Sequence, residues 1–155
     1  MALDTTALSI AAAGISAAVM ARANIFEMTQ AAEDAVLCPK DEGPWPHALR
    51  AALAARIAVL NDETDLAAHY VSQAADFAAL ADPASDGSGQ GLAVVVSFMD
   101  KVAADTRNVS AQDIAGLQAA GVADADIVRL AELNAFLAYQ IRVIAGLRLM
   151  KGLTA

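Results

Sequence analysis

The chain has 155 residues, the length of a single domain, and its composition is typical of a helical protein. Alanine, the strongest helix former, makes up about a quarter of the sequence, whereas aromatic residues make up only 5%. The net charge of −8 excludes a general nucleic-acid binder, because phosphate binding needs a concentrated basic surface, and it disfavours docking on an anionic membrane. We therefore expect one all-α domain over residues 1–155.

The first part of the chain, residues 5–21, carries no charge. It is short for a membrane span and rich in small and hydroxyl residues, and Asp4 before it has the wrong sign for a signal peptide. We expect one amphipathic or buried helix here. The single cysteine, Cys38, excludes an intramolecular disulfide, a CxxC pair and a cysteine zinc site, and it fits a cytoplasmic protein.

Two long helices follow. Residues 23–37 place Ile25, Met28, Ala32 and Val36 at helical spacing, so this side is predicted to face the core and Glu27, Glu33 and Asp34 to lie on the other side. Proline residues break the chain at 39–46, and a second helix is predicted to begin near Pro46 and to end near Leu60, with Leu49, Leu53, Ile57 and Leu60 on one face.

The second half of the chain is predicted to be helical as well. A helix over about 65–81, capped by Thr64, precedes a Gly-rich loop at 82–91 and a helix with the β-branched run Val94–Val96. Ser110 and Asp113 form a capping box for a short helix that Gly121 ends. The last helix runs from Asp124 to about Met150 and is apolar on more than one side, which predicts a homo-oligomer. Six or seven helices are expected in all.

Most polar candidates have ordinary structural explanations. Gly87–Gly91 lacks the strand and the lysine of a phosphate-binding loop. A reactive thiol needs neighbouring positive charge, and Asp41 and Glu42 oppose the charge of Lys40 near Cys38. His47 lies in a turn at a helix start. Arg50 and Arg56 are six residues apart and point in different directions on their helix, so at least one of them is solvated or salt-bridged.

One constellation has a spacing suited to chemistry. Asp62, Asp65 and His69 recur at i, i+3 and i+7, and they share a face if the segment is helical. Two carboxylates beside an imidazole can move protons or bind a divalent metal. The alternative is that the two aspartates are helix N-terminal charges and His69 is structural. The carboxylates are expected to raise the pKa of His69, and a protonated imidazole is a poor metal ligand, so we expect no metal here. No cofactor is expected either.

Two blocks of the sequence carry a family resemblance. HALRAALAARIAVLNDETDLAAHY at 47–70 and LQAAGVADADIVRLAELNAFLAYQIRVIAGLRLM at 117–150 are similar to the alkylhydroperoxidase D-like / carboxymuconolactone decarboxylase superfamily, in particular to its group of domain proteins found with peroxidase-related partners. The resemblance implies an all-helical bundle with a long C-terminal helix and an obligate oligomer. Active members carry an upstream Glu and a CxxCxxxH motif.

The sequence departs from that motif. With His69 at the histidine position, the two cysteine positions hold Asp62 and Asp65, and the glutamate position falls at about Arg50. A carboxylate can neither attack a peroxide nor form a disulfide, so thiol peroxidase activity is not expected. The likeness by itself would suggest an antioxidant oxidoreductase.

Two functions of different classes follow from these departures. In the first, the protein is a catalytically silent homologue that serves as a partner of a peroxidase-related protein. In the second, it is a non-redox, decarboxylase-type enzyme in which His69 transfers a proton, Asp62 or Asp65 orients it, and Arg50 or Arg142 binds an anionic substrate. The missing thiols favour the first function, and the retained histidine favours the second.

Overall fold

The structure is a computed structural model and describes residues 3–14 and 16–153. Within these ranges it is all-helical, with no strand, which confirms the predicted fold class. The α-helices of the described residues are α1 (Thr6–Ile10), α2 (Ala17–Met20), α3 (Ala23–Leu37), α4 (His47–Leu60), α5 (Thr64–Val71), α6 (Ala93–Ala104), α7 (Ala111–Ala119) and α8 (Asp124–Leu153). Short 3₁₀ helices lie at Ala75–Ala81, Ser88–Gln90 and Thr106–Asn108.

Helix α4 lies at the centre of the domain. Pro46 precedes its first residue, as predicted, and every residue from Leu49 to Ala58 is buried. Five of these ten residues are alanines, whose small side chains let α3, α5, α6 and α8 approach the helix from several sides. A helix buried all round cannot have the single apolar face expected from the sequence, although Leu49, Leu53 and Ile57 of that face are all in the core.

Helix α8 has 30 residues and confirms the long final helix. Its inward side supplies Ile127, Leu130, Leu133, Leu137, Ile144 and Leu147 to the core. By length and composition alone it could also cross a membrane over Asp124–Gly152, and it is the one helix within 3–14 and 16–153 that could. The core helix of a domain passes the same test, and α8 packs against α1, α3, α4, α6 and α7.

Two predicted helices are each divided in the structure. The N-terminal helix expected over 5–21 is instead α1 and α2, capped by the side-chain oxygens of Thr5 and Ser16; Ile15, between them, lies outside the described residues. The helix expected over 65–81 ends at Val71, and the chain continues as the 3₁₀ helix Ala75–Ala81, whose first residue has a φ of 45°. These breaks give more and shorter helices than the six or seven expected.

The other predicted elements of the second half are present. The capping box of Ser110 and Asp113 begins α7, and Gly121 follows that helix with a φ of 87°. The Val94–Val96 run is helical in α6. The loop at 82–91 needs glycine at Gly87, where φ is 75° and an added Cβ would lie 2.7 Å from the side chain of Val96.

Candidate functional site

Helix α3 buries polar side chains on the face that packs against the rest of the protein. Its buried residues are Thr29, Glu33 and Leu37, which recur every four positions along the helix. The face predicted from the apolar spacing is wrong, since Met28 is 64% exposed and Ala32 is exposed. Glu33, which was expected on the solvent side, is only 6% exposed.

The carboxyl group of Glu33 is held by side chains from two other helices. Thr6 Oγ1 of α1 donates a hydrogen bond of 2.9 Å to Oε1, and Gln140 Nε2 of α8 donates one of 2.8 Å to Oε2. The Tyr70 hydroxyl of α5 in turn donates to Oε1 of Gln140 at 2.8 Å. Gln140 and Tyr70 are 0% and 1% exposed, so this network lies within the core. A buried polar network in which each group is bonded fixes the relative positions of its helices.

His69 lies between this network and the surface. Its Nε2 is 4.0 Å from Oε1 of Glu33, and its ring meets the ring of Tyr70 edge-on at 5.0 Å between centroids. The Gln73 amide nitrogen is 3.2 Å from the same Nε2. The side chain of His69 is 35% exposed, so the imidazole can contact solvent, whereas the side chain of Glu33 beneath it is only 8% exposed.

A polar depression of about 240 Å³ opens beside the imidazole. Its lining consists of side chains from the N-terminal segment, α3 and α5, namely Asp4, Thr5, Thr6, Ser9, Gln30 and His69. Thr6 connects the depression to the buried network, because its hydroxyl donates to Glu33 while its backbone N–H donates to the Gln30 side chain at 2.9 Å. Asp4 is the one charged residue of this lining apart from the titratable His69.

Burial shifts the two titratable groups in opposite directions. Burial raises the pKa of Glu33 above its ordinary value, and the hydrogen bonds from its partners oppose the rise. Burial lowers the pKa of His69, because the charged imidazolium loses hydration. The carboxyl and the imidazole therefore approach each other in proton affinity. A smaller difference between the two pKa values lowers the free-energy cost of moving a proton between the carboxyl and the imidazole.

The two aspartates predicted beside His69 do not contact it. Asp62 lies in the turn before α5 with a φ of 59°, so it is not on the helix that carries His69. Asp65 is 75% exposed, and its carboxylate lies 3.8 Å from Nη2 of Arg148. Among the described residues no hydrogen bond or ion pair joins either aspartate to His69. The lowered pKa of His69 is also opposite to the rise expected from them.

The two arginines predicted to bind substrate lie elsewhere. Arg50 is 3% exposed and donates to the backbone carbonyls of Val36, Glu42 and Trp45 at 2.8 to 3.0 Å, so it holds the loop between α3 and α4. Arg142 is exposed and follows Gln140 by two positions, which places it on nearly the opposite side of α8.

The remaining sequence candidates are structural. Arg56 is 2% exposed; it makes two hydrogen bonds to Asp100 at 2.6 and 2.7 Å and others to carbonyls of the loop after Leu80. His47 Nε2 lies 2.9 Å from the carbonyl oxygen of Pro39. Cys38 is exposed, and burial together with the charges of Asp34 and Glu33 raises its pKa, which keeps it protonated.

Sequence reasoning missed Glu33 and its partners Thr6, Tyr70 and Gln140. One signal was present: Gln140 stands in an otherwise apolar stretch of α8, and a polar residue buried there needs a polar partner. The partner itself, 107 positions away, could not be read from spacing. Across 3–14 and 16–153, no group of three or more His, Cys, Asp or Glu side chains is arranged to hold a metal ion.

Comparison with known proteins adds no relative. No protein-family model matches the sequence, and neither a curated protein nor a solved structure matches the chain.

Proposed function

We propose that this chain is an alkylhydroperoxidase D-like / carboxymuconolactone decarboxylase-like protein without the redox cysteine pair, and that its site transfers protons. One observation carries the proposal: the buried carboxyl of Glu33 lies 4.0 Å from the imidazole of His69 at the edge of a polar depression. The resemblance of two sequence blocks and the retained His69 support the family. The single cysteine, Cys38, supports chemistry without a thiol pair.

The proton transfer uses both groups. The neutral imidazole, favoured by burial, accepts a proton from an acidic position of the bound molecule. The Glu33 carboxyl stabilises the imidazolium that forms, as a buried carboxylate does for a catalytic histidine. The proton then returns to another position of the molecule or to water. Glu33 thus takes the role that the sequence had assigned to Asp62 or Asp65.

The lining of the depression favours a neutral or cationic ligand. Asp4 faces the depression, Glu33 lies beneath it, and neither Arg50 nor Arg142 presents its guanidinium there. An anionic substrate would lie among negative charges without a cation to bind it. A small alcohol or amine, in contrast, finds hydroxyl and carboxylate oxygens to hydrogen-bond. This departs from the anionic substrate expected from the sequence.

The test is a titration of three small probes, propylamine, propanol and propionate, which share a three-carbon chain and differ in charge. Imidazole resonances report the outcome, because the protein has two histidines. His47, the first residue of α4, whose Nε2 lies 2.9 Å from the Pro39 carbonyl oxygen, serves as the internal control. We expect propylamine and propanol to shift His69 and leave His47 unchanged. Equal shifts with propionate would contradict the ligand class, and no shift of His69 with any probe would contradict the site.

A catalytically silent partner is the second candidate, and the size of the depression favours it. At about 240 Å³ it is smaller than the roughly 300 to 1,000 Å³ of ordinary ligand pockets. In this case the protein binds a peroxidase-related homologue that supplies the thiols. Co-purification with a CxxC-bearing relative encoded beside it, with a gain in that relative's peroxide turnover, would favour this function. Turnover unchanged on mixing would oppose it.

A further inference from the structure

The outward side of α8 carries a stripe of mostly exposed residues, although the Tyr139 hydroxyl lies 2.9 Å from Thr29 Oγ1 of α3. The residues recur at alternating steps of three and four, the spacing of a coiled-coil seam. We call this set the α8 stripe; it comprises Ala125, Val128, Glu132, Ala135, Tyr139, Arg142, Gly146 and Leu149. All of these residues are exposed except Gly146, which is half-buried.

The α8 stripe exposes large apolar side chains over a long distance. Val128 is 54% exposed, Tyr139 42% and Leu149 71%. From Ala125 to Leu149 the stripe extends about 36 Å at 1.5 Å per residue. Its two charged residues, Glu132 and Arg142, have opposite signs and lie at equal distances on either side of Leu137.

The geometry points to an antiparallel homodimer in which two copies of α8 pair along this stripe about a two-fold axis at the level of Leu137, whose own side chain faces the core. In that arrangement residues whose numbers are symmetric about 137 share a layer, as first and fourth heptad positions do in antiparallel coiled coils. The layers are Ala125 with Leu149, Val128 with Gly146, Glu132 with Arg142, and Ala135 with Tyr139. Each layer joins a small side chain to a larger one or joins opposite charges, and the two-fold axis repeats each of them.

Other pairings of the same stripe lose this match. A parallel pair would oppose Glu132 to Glu132 and Arg142 to Arg142, which is repulsive. An antiparallel pair shifted by one heptad would place Glu132 against Leu149 and Tyr139 against Arg142, so that Glu132 is buried without a countercharge. The opposite shift would place Glu132 against Ala135 and Arg142 against Ala125, which leaves both charges without partners.

The charges also argue for a second copy rather than a lipid surface. Glu132 and Arg142 lie in the middle of the stripe, where membrane insertion would place both in hydrocarbon. The net charge of −8 opposes an anionic lipid surface. In the dimer, by contrast, the same two residues form two ion pairs that set the register.

Charge reversal in the full-length protein tests both the dimer and its register. By sedimentation equilibrium we expect a mass of twice 15.9 kDa for the native chain. Glu132→Arg alone and Arg142→Glu alone each create two like-charge contacts, and each is expected to raise the dissociation constant about tenfold or more. The double variant Glu132→Arg/Arg142→Glu restores the opposite charges and is expected to restore the dimer. Arg107→Glu, at an exposed site of the 3₁₀ helix Thr106–Asn108, is the matched control and is expected to leave the dimer intact.

Several results would overturn the proposal. They are a monomeric native chain throughout the micromolar range, a trimer or larger assembly, single variants that dimerise as the native chain does, and a double variant as weak as the single ones. Circular dichroism on all four variants separates loss of the dimer from loss of the fold. None of these dimer measurements depends on the probe titration at His69, so either proposal can be contradicted while the other stands.

Discussion

Glu33 costs the folded protein free energy at neutral pH, so replacing its carboxyl with an amide is expected to stabilise the protein. The folded state holds the proton of Glu33 more tightly than the unfolded chain does, since burial raises its pKa. Stability therefore falls as the pH rises through the interval between the unfolded and the folded pKa. Glu33→Gln preserves the shape and an acceptor for Gln140, and its amide can donate to Thr6 Oγ1 and to His69.

The expected gain is of order 1 kcal/mol, the lower end of the cost that protein mutations report for burying an incompletely compensated polar group. For a domain of this size, 1 kcal/mol raises the melting temperature by about 2 to 4 °C. Burial lowers the pKa of His69, so its imidazole is mainly neutral at neutral pH. It therefore supplies little positive charge to offset the cost of burying the Glu33 carboxylate. The gain should disappear below the ordinary pKa of 4.5, where Glu33 is protonated in both states.

Urea unfolding followed by circular dichroism between about pH 4 and pH 8 measures this gain. Glu27→Gln removes an exposed carboxylate from the same helix and is the matched control; it should change the free energy of unfolding by less than about 0.5 kcal/mol. A Glu33→Gln variant that is less stable than the native protein at neutral pH would refute the reasoning, because it would show that the carboxylate is stabilised in the fold.

Two further variants test the structural arginine and the thiol. Arg56→Met leaves Asp100 and several backbone carbonyls without their hydrogen-bond donor. It should lower the free energy of unfolding by about 3 kcal/mol, the low end for breaking a buried ion pair, because Asp100 is one-third exposed and can rehydrate. If urea unfolding shows that Arg56→Met loses as little stability as the exposed variant Arg107→Met, these contacts of Arg56 do not stabilise the fold. Cys38→Ser should leave peroxide consumption at the level of the native protein, because the raised pKa of the Cys38 thiol and the lack of a second cysteine preclude thiol turnover. Native peroxide consumption that disappears in Cys38→Ser would show this prediction to be wrong.

The long helices could be predicted because their signals are local. Proline before α4, the capping box of α7 and the apolar length of α8 each depend on neighbours within a few positions, and the structure confirms all three. The breaks within the predicted helices 5–21 and 65–81 have no comparable local signal in the sequence. The segment 65–81 is rich in helix-forming alanine, yet the α-helix ends at Val71 and Ala75 takes a φ of 45°, a break that the helix propensity of alanine does not predict.

The site could be predicted only in part because its partners are distant in the sequence. His69 was found by spacing, and the structure places it at the edge of a buried network. The helical spacing of Ile25, Met28, Ala32 and Val36 predicts a different buried face of α3 and leaves Glu33 on the solvent side. Its burial depends on Thr6 and Gln140, which are 27 and 107 positions away. Spacing instead favoured Asp65, whose carboxylate pairs with Arg148.

The most direct test of the site is a pH titration of the His69 imidazole by NMR in three proteins: the native chain, Glu33→Gln and Asp65→Asn. Both substitutions remove one carboxylate, but only that of Glu33 lies 4.0 Å from the ring. A nearby carboxylate favours the imidazolium, so Glu33→Gln should lower the pKa of His69 further, while Asp65→Asn should leave it unchanged. A pKa that is insensitive to Glu33→Gln, or that responds to Asp65→Asn instead, would contradict a proton-transfer pair of Glu33 and His69.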